Sequence, residues 1–248
     1  MENKVRDKLI FALDFDDLET ARGWVDRLRG KVGMFKVGKQ LFTHGGPQML
    51  DYITRGGDGV FLDMKYHDIP NTVAKAVVEA TRLGATMVNV HALGGREMME
   101  RTRQEVDAVC AREGLKRPLL IAVTILTSST EQTLLEVGID RPVEEMVPRL
   151  AALAKDSGFD GVVASPREIR AIRDICGAGF KIVTPGVRPS FASLDDQKRV
   201  ATPSAAVADG ADYLVVGRPI SAAPDPLAAV DAILDEMNLA PGREGDRG

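Results

Sequence analysis

Apolar residues fall along this chain in short runs of four to seven, many of them β-branched. Each run is followed by a longer stretch in which apolar positions recur every three or four residues. The runs cover residues 9–13, 34–37, 60–63, 87–90, 119–125, 161–164, 181–184 and 213–216. They are continuous rather than alternating, as in strands buried on both faces, and so predict a parallel sheet covered by helices. Leu18, Ala21, Val25 and Leu28 predict a helix that Asp16 or Asp17 caps and Gly30 ends. Ala74, Val77, Val78 and Thr81 predict another, as do Leu227, Val230 and Ile233 near the end. Eight strands alternating with helices predict an α/β fold, a single (β/α)8 (TIM) barrel over residues 1–240. The alternative, an open doubly wound sheet, lacks a GxGxxG after the first strand. Residues 241–248, all Pro, Gly and charge, read as a frayed tail.

Composition narrows the class. With 248 residues, 44% apolar and 27% charged, the chain can bury a sizeable core and is neither disordered, collagenous nor a coiled coil. A net charge of −4 gives no global field to draw nucleic acid or an anionic membrane, so any anion recognition is local. No apolar run approaches the roughly 20 residues that span a bilayer. The first residues lack the apolar core of a secretory signal. Cys110 and Cys176 form no CxxC; a disulfide between them has no support in the spacing, and they read as free buried thiols of a reducing compartment. A soluble, cytoplasmic protein is expected.

In a barrel of this kind the loops after the strands carry function and the opposite face carries stability. The polar residues at those strand ends are Asp14, Lys36, Asp63 with Lys65, His91, Thr127, Ser165, Arg188, and Gly217 with Arg218. The densest group is Asp63-Met-Lys-Tyr-His-Asp68-Ile-Pro-Asn-Thr72. Strand alternation would put Asp63 and Lys65 on one face, pointing into the mouth. Asp68 falls in the turn, and Pro70 suits the first turn of the next helix. A surface salt-bridge cluster has the same composition. The position at a strand end, with Lys36 arriving from the neighbouring strand, favours a site. Two nearby carboxylates favour the ammonium form of Lys65, whereas a Schiff-base lysine needs a free amine. Lys65 therefore reads as a proton donor held charged by Asp63 and Asp68, not as a class I aldolase lysine.

A second constellation lies at the far end. Thr184-Pro-Gly-Val-Arg-Pro189 follows the seventh strand and Val215-Val-Gly-Arg-Pro219 the eighth, the recurrent phosphate site of barrels. Gly186 and Gly217 let backbone amides approach an anion, and Arg188 or Arg218 can grip it with paired donors. Residues 190–199 read as a mobile loop able to fold over a bound phosphate, with Gln197 supplying an amide. His44, His67 and His91 form no HxH or HExxH, so no catalytic metal is expected. His91 reads as a hydrogen-bonded wall residue or a substrate contact. Trp24, Met98 and Met99 read as packing residues.

The stretch from Asp63 to Thr72 resembles the D-x-K-x-x-D-I-P-N-T signature of the orotidine 5′-monophosphate decarboxylase family. Phe11-Ala-Leu-Asp14, Phe35-Lys-Val-Gly38, Val123-Thr-Ile-Leu-Thr-Ser128, Thr184-Pro-Gly-Val-Arg188, Asp195-Asp-Gln197 and Val216-Gly-Arg218 are similar to it too, in order along nearly the whole chain. The resemblance implies decarboxylation of orotidine monophosphate to uridine monophosphate, the last step of pyrimidine synthesis, with neither metal nor organic cofactor. It implies that Lys65 protonates C6, that Asp63 lies against the substrate carboxylate, and that Lys36 and Asp14 contact the ribose. Asp68 would reach into the partner subunit's site of a homodimer, and Ile69, Pro70 and Thr72 belong to the same substrate-binding segment. Thr127 would line the base and ribose region. Arg188, Gln197, Gly217 and Arg218 would hold the phosphate, and Pro185 is a further substrate-binding residue. A nucleotide is then the ligand, with neither nucleic acid nor membrane as partner.

Two rivals stand beside this reading. A sister decarboxylase of 3-keto-gulonate 6-phosphate shares D-x-K-x-x-D but uses magnesium and an acid at the end of strand two. Here that position is Lys36, and a second cation beside magnesium is unfavourable. A non-catalytic nucleotide-binding barrel would have lost Lys65 or a flanking acid, and none is lost.

Overall fold

The computed structural model describes residues 5–190 and 201–239. Eight parallel strands close into a barrel in sequence order: β1 (Leu9–Ala12), β2 (Met34–Gly38), β3 (Gly59–Tyr66), β4 (Met87–His91), β5 (Leu119–Val123), β6 (Gly161–Val163), β7 (Lys181–Pro185) and β8 (Tyr213–Val216). Closure is made by β1 against β8, with Leu9 opposite Leu214 and Ile10 opposite Val215. All eight expected strands are present, and the single (β/α)8 barrel is the fold. Two ends differ from expectation by more than one residue. β5 stops at Val123, because Thr124 leaves the ladder and its hydroxyl donates to the Val163 carbonyl at 3.2 Å. β3 runs on to Tyr66, past a shift of register against β4 between Leu62 and Tyr66.

Continuous apolar runs follow from this architecture, since alternate residues of each strand face two different cores. Ile10, Met34, Phe61, Met87, Ile121, Val183 and Val215 point inward and fill the barrel. Leu9, Phe11, Phe35, Val60, Leu62, Val88 and Val90 point outward under the helices. Burying one such side chain is worth about 1.5–3 kcal/mol.

The helices begin where polar caps allow. The Leu18–Leu28 helix is capped by Asp17, whose carboxylate accepts from the Thr20 amide at 2.7 Å, and it buries Ala21, Val25 and Leu28. Pro70 opens Pro70–Arg82, which buries Val73, Ala74, Val77, Ala80 and Thr81. Asp225 caps Pro226–Asn238 through the amides of Leu227 and Ala228. Leu227, expected on the buried face, is instead an exposed first-turn residue, and Ala229, Val230, Ile233 and Met237 make the contact. Trp24 stacks on Phe15, with ring centroids 5.6 Å apart, and packs against Phe11, and Met98 and Met99 are fully buried. Cys176 is a buried free thiol, while Cys110 is free but only half-buried.

At the N-terminal face, acids just ahead of the strands are tied down by arginines. Arg117 pairs with Asp160 at 2.7 Å, Arg173 with Asp212, and Arg29 with Asp58. Asp160 and Asp212 also accept from the strand amides of Leu120 and Ile182 at 2.7 and 2.9 Å. These charges are spent on holding strand starts together, which leaves the other mouth for chemistry. Among the described residues no helix is long and apolar enough to cross a membrane.

Candidate active site

A row of alternating charge crosses the C-terminal ends of three adjacent strands. Lys36 of β2 donates to Asp14, just beyond β1, at 2.9 Å, and its ammonium lies 3.6 Å from Asp63 of β3. Asp63 Oδ1 in turn accepts from Lys65 Nζ at 2.6 Å. Lys36 and Asp63 are each 9% exposed. Buried charges survive only when paired, and each interior member of this row has an opposite charge beside it. Gly38 leaves the necessary room, because a Cβ there would come within 3.2 Å of the Lys36 ammonium.

Asp63 and Lys65 do meet, though not by simple strand alternation. Lys65 has φ of 50°, the only positive value at a non-glycine residue among those described, and it sits within the shifted register of β3 against β4. The side chain that holds this turn is Asn89 of β4, which sequence reasoning missed. Its Oδ1 accepts from the Lys65 amide at 2.7 Å and its Nδ2 donates to Asp63 Oδ1 at 2.6 Å. The signal was an asparagine in the middle of the apolar run Met-Val-Asn-Val.

Burial pushes the Asp63 carboxyl upward. The charges of Lys36 and Lys65, with hydrogen bonds from Lys65 and Asn89, outweigh it and hold the group below its ordinary range, so Asp63 is an anion at neutral pH. His91, at the end of β4, is pushed down to about 4 by burial and by the electrostatic influence of His67, Lys39 and Lys65. It is therefore neutral. The expected hydrogen bond to its ring is not found among the described residues; the ring lies 5.6 Å from that of His67 instead.

Asp68 does not join the row. It is exposed, its carboxylate accepts from the Ile69 amide at 2.6 Å, and among the described residues it pairs with no cation. Among the described residues the Lys65 ammonium pairs with Asp63 and not with Asp68, which corrects the expectation that both acids flank it. Ile69, 66% exposed, Pro70 and Thr72 follow at the start of the next helix. Thr127 is exposed on the loop after β5, farther from the strand end than expected. Ser165 is occupied locally, its amide donating to Glu168 at 2.8 Å.

At the phosphate end, β7 and β8 are neighbours with Pro185 opposite Val215, so the loops carrying Arg188 and Arg218 emerge side by side. Gly186 has φ of 75°, a conformation that suits glycine. Arg188 is half-buried and its amide donates to Ala201 at 3.1 Å, while Arg218 is exposed at the start of a short helix. A Cβ at Gly217 would meet Ala12 at 3.4 Å and Asp14 at 3.9 Å, so this corner opens onto the start of the charged row. Gln197 lies outside the described residues, as do the rest of 191–200 and the tail from 240. Among the described residues no group of three or more His, Cys, Asp or Glu side chains is placed to hold a metal ion.

Fold and site together define a (β/α)8 barrel with a lysine–carboxylate array at its mouth and paired Gly-Arg loops after its last two strands. Residues 7–233 match the model of the orotidine 5′-phosphate decarboxylase / HUMPS family, and the chain belongs to that family. It is 61% identical over 237 residues to the orotidine 5′-phosphate decarboxylase of Syntrophotalea carbinolica, covering 96% of this chain and 97% of that one. It is 59% identical over 235 residues to the enzyme of the same name from Geobacter sulfurreducens, covering 95% and 98%. Among solved structures, the orotidine 5′-phosphate decarboxylase of Lactobacillus acidophilus matches with a TM-score of 0.82 at 39% identity, over 93% of this chain and 98% of that one.

Proposed function

We propose that this protein decarboxylates orotidine 5′-monophosphate to uridine 5′-monophosphate and carbon dioxide in pyrimidine biosynthesis, with Lys65 protonating C6 and neither metal nor organic cofactor taking part. The observation that carries the reading is the row Asp14–Lys36–Asp63–Lys65, which ends on an ammonium group at the mouth of the barrel. Breaking the bond from C6 to the carboxylate leaves an electron pair in the plane of the ring, where the π system stabilises it poorly. A positioned ammonium is both the electrostatic stabiliser of that pair and the source of the proton that quenches it. The lysine then regains its proton from solvent.

In this reading Asp63 lies against the leaving carboxylate, Lys36 and Asp14 hold the ribose, and Thr127 lines the base and ribose region. Arg188, Gln197, Gly217 and Arg218 hold the phosphate. Binding energy from that remote group then assembles the charged site, so a substrate without its phosphate loses turnover as well as affinity. The exposed Asp68, Ile69 and Thr72 support a homodimer in which this segment completes the partner's site. Leu93 and Leu126, after β4 and β5, are further exposed apolar residues on the loops that follow the strands. The free thiols and the soluble substrate support a cytoplasmic location. The magnesium-dependent rival is disfavoured because the end of β2 presents the Lys36 ammonium 3.6 Å from Asp63, where a divalent cation would need an acid.

The test is an ultraviolet assay for loss of orotidine monophosphate by purified protein, with and without a chelator. Turnover unaffected by the chelator is expected. No turnover refutes the decarboxylase reading, and loss restored by magnesium favours the rival.

A further inference from the structure

We propose that Asn89 is a positioning residue of this reaction: its carboxamide ties the Lys65 backbone to the Asp63 carboxylate, and so fixes where the ammonium group is presented. The proposal rests on the decarboxylase reading for its kinetic part.

Asn89 is fully buried on the inward face of β4, next along that face from Met87, which packs in the barrel core. An amide in such a place is unfavourable unless its donor and acceptor are both satisfied. Both are, and by two residues of the charged row: Nδ2 by Asp63 Oδ1 at 2.6 Å and Oδ1 by the Lys65 amide at 2.7 Å. The partners also fix which end of the amide is which, since a backbone N–H only donates and an ionised carboxylate only accepts. Barrel packing alone would be served as well by an apolar side chain of similar volume.

The consequence for Lys65 is geometric. Its backbone is left-handed, a conformation that L side chains rarely adopt, at the place where the β3–β4 ladder loses register. Asn89 Oδ1 supplies the acceptor that the interrupted ladder does not. At the other end, Asp63 Oδ1 receives Lys65 Nζ and Asn89 Nδ2 together, which fixes the carboxylate plane and leaves Oδ2 toward Lys36 at 3.6 Å. A lysine with four side-chain rotors is thus held at its backbone and at its head. Proton transfer to carbon depends on such placement far more than binding does. The other charged or titratable groups at this corner are Lys36 on β2, Asp14 just beyond β1, and His91 on β4 itself with its neighbours His67 and Lys39.

The test compares wild type with Asn89→Ala and Asn89→Asp. In the orotidine monophosphate assay, Asn89→Ala is expected to lower kcat about 10- to 100-fold, with KM and the calorimetric affinity for uridine monophosphate within threefold of wild type. The acid limb of kcat against pH moves upward, because Asp63 has lost a donor. Asn89→Asp, which sets a second carboxylate against Asp63, loses more. Should Asn89→Ala fail to fold, Asn89→Ser carries the same test, its hydroxyl being too short to span both partners. Unchanged kcat overturns the proposal, as does a loss confined to KM and nucleotide affinity, or a fall in kcat with the acid limb unmoved. A carbon-13 titration of Asp63 in ligand-free protein needs no turnover. If its midpoint is the same in Asn89→Ala, the proposal fails whatever the activity. A wild-type protein that does not consume orotidine monophosphate instead refutes the functional reading.

Discussion

Replacing Lys36 by methionine keeps an unbranched side chain of similar length and removes one charge from the middle of the row. Asp63, 9% exposed, then keeps Lys65 at 2.6 Å and Asn89 at 2.6 Å but loses the ammonium at 3.6 Å. At an effective dielectric near 20 that lost attraction is roughly 4–5 kcal/mol. Relaxation of the site and water penetration around Asp63 recover about half of it. The Lys36–Asp14 pair adds less than about 1 kcal/mol, since the Asp14 side chain is 66% exposed and screened. The net cost is about 2–3 kcal/mol, or a fall in Tm of roughly 5–10 °C for a chain of this size.

The pH dependence of that cost carries the sharper test. Asp63 titrates below its ordinary value in the folded protein, burial being outweighed by Lys36, Lys65 and Asn89. A carboxyl of this kind adds stability that is present above its unfolded value, about 3.9, and lost as pH falls through its folded value. Removing Lys36 raises the folded value. The deficit of Lys36→Met is therefore complete at pH 7, shrinks as pH falls through the raised folded value of the variant, and is gone below the lowered folded value of the wild type, where protonated Asp63 no longer needs a cation. Urea denaturation of both proteins at pH 7 and at steps down to pH 3.5 measures it. A deficit that stays constant over this range would show that Lys36 contributes packing rather than charge, and the account of the row would be wrong.

Lys65→Ala is expected to abolish decarboxylation while uridine monophosphate still binds in calorimetry; near-normal turnover removes Lys65 from its role. Arg218→Ala is expected to lose about 2–4 kcal/mol of transition-state stabilisation, read as a fall in kcat/KM of roughly 30- to 1,000-fold. If kcat/KM barely moves, the phosphate is held elsewhere. Gly38→Ala places a methyl group 3.2 Å from the Lys36 ammonium at a backbone φ of −89° that alanine tolerates. Its kcat/KM should fall roughly tenfold, while Tm shifts by less than about 2 °C; a large loss of stability with intact kinetics contradicts the reading of Gly38 as space for the row.

Local chemistry made the architecture legible. A strand covered on both faces must be apolar at consecutive positions, so eight apolar runs marked eight strands, and a lysine or aspartate ending such a run stood out against it. Lys36, Asp63 and Lys65 were readable for that reason, as was the pair of Gly-Arg turns after β7 and β8. Asn89 was visible in the sequence as a polar residue inside an apolar run, but nothing local says which groups satisfy it. That depends on the register of β4 against β3, a relation between residues 24 and 26 positions apart. The left-handed backbone of Lys65 likewise arises from a slip between two strands and not from any property of lysine. The outward turn of Asp68, against the expectation that it would flank Lys65, is set by the path of the chain into the helix at Pro70. Sequence determined which residues are present at the mouth of the barrel, because burial imposes its pattern residue by residue. Only the closed sheet decided which of them touch, because pairing across strands is set by register and closure, and these are properties of the whole barrel.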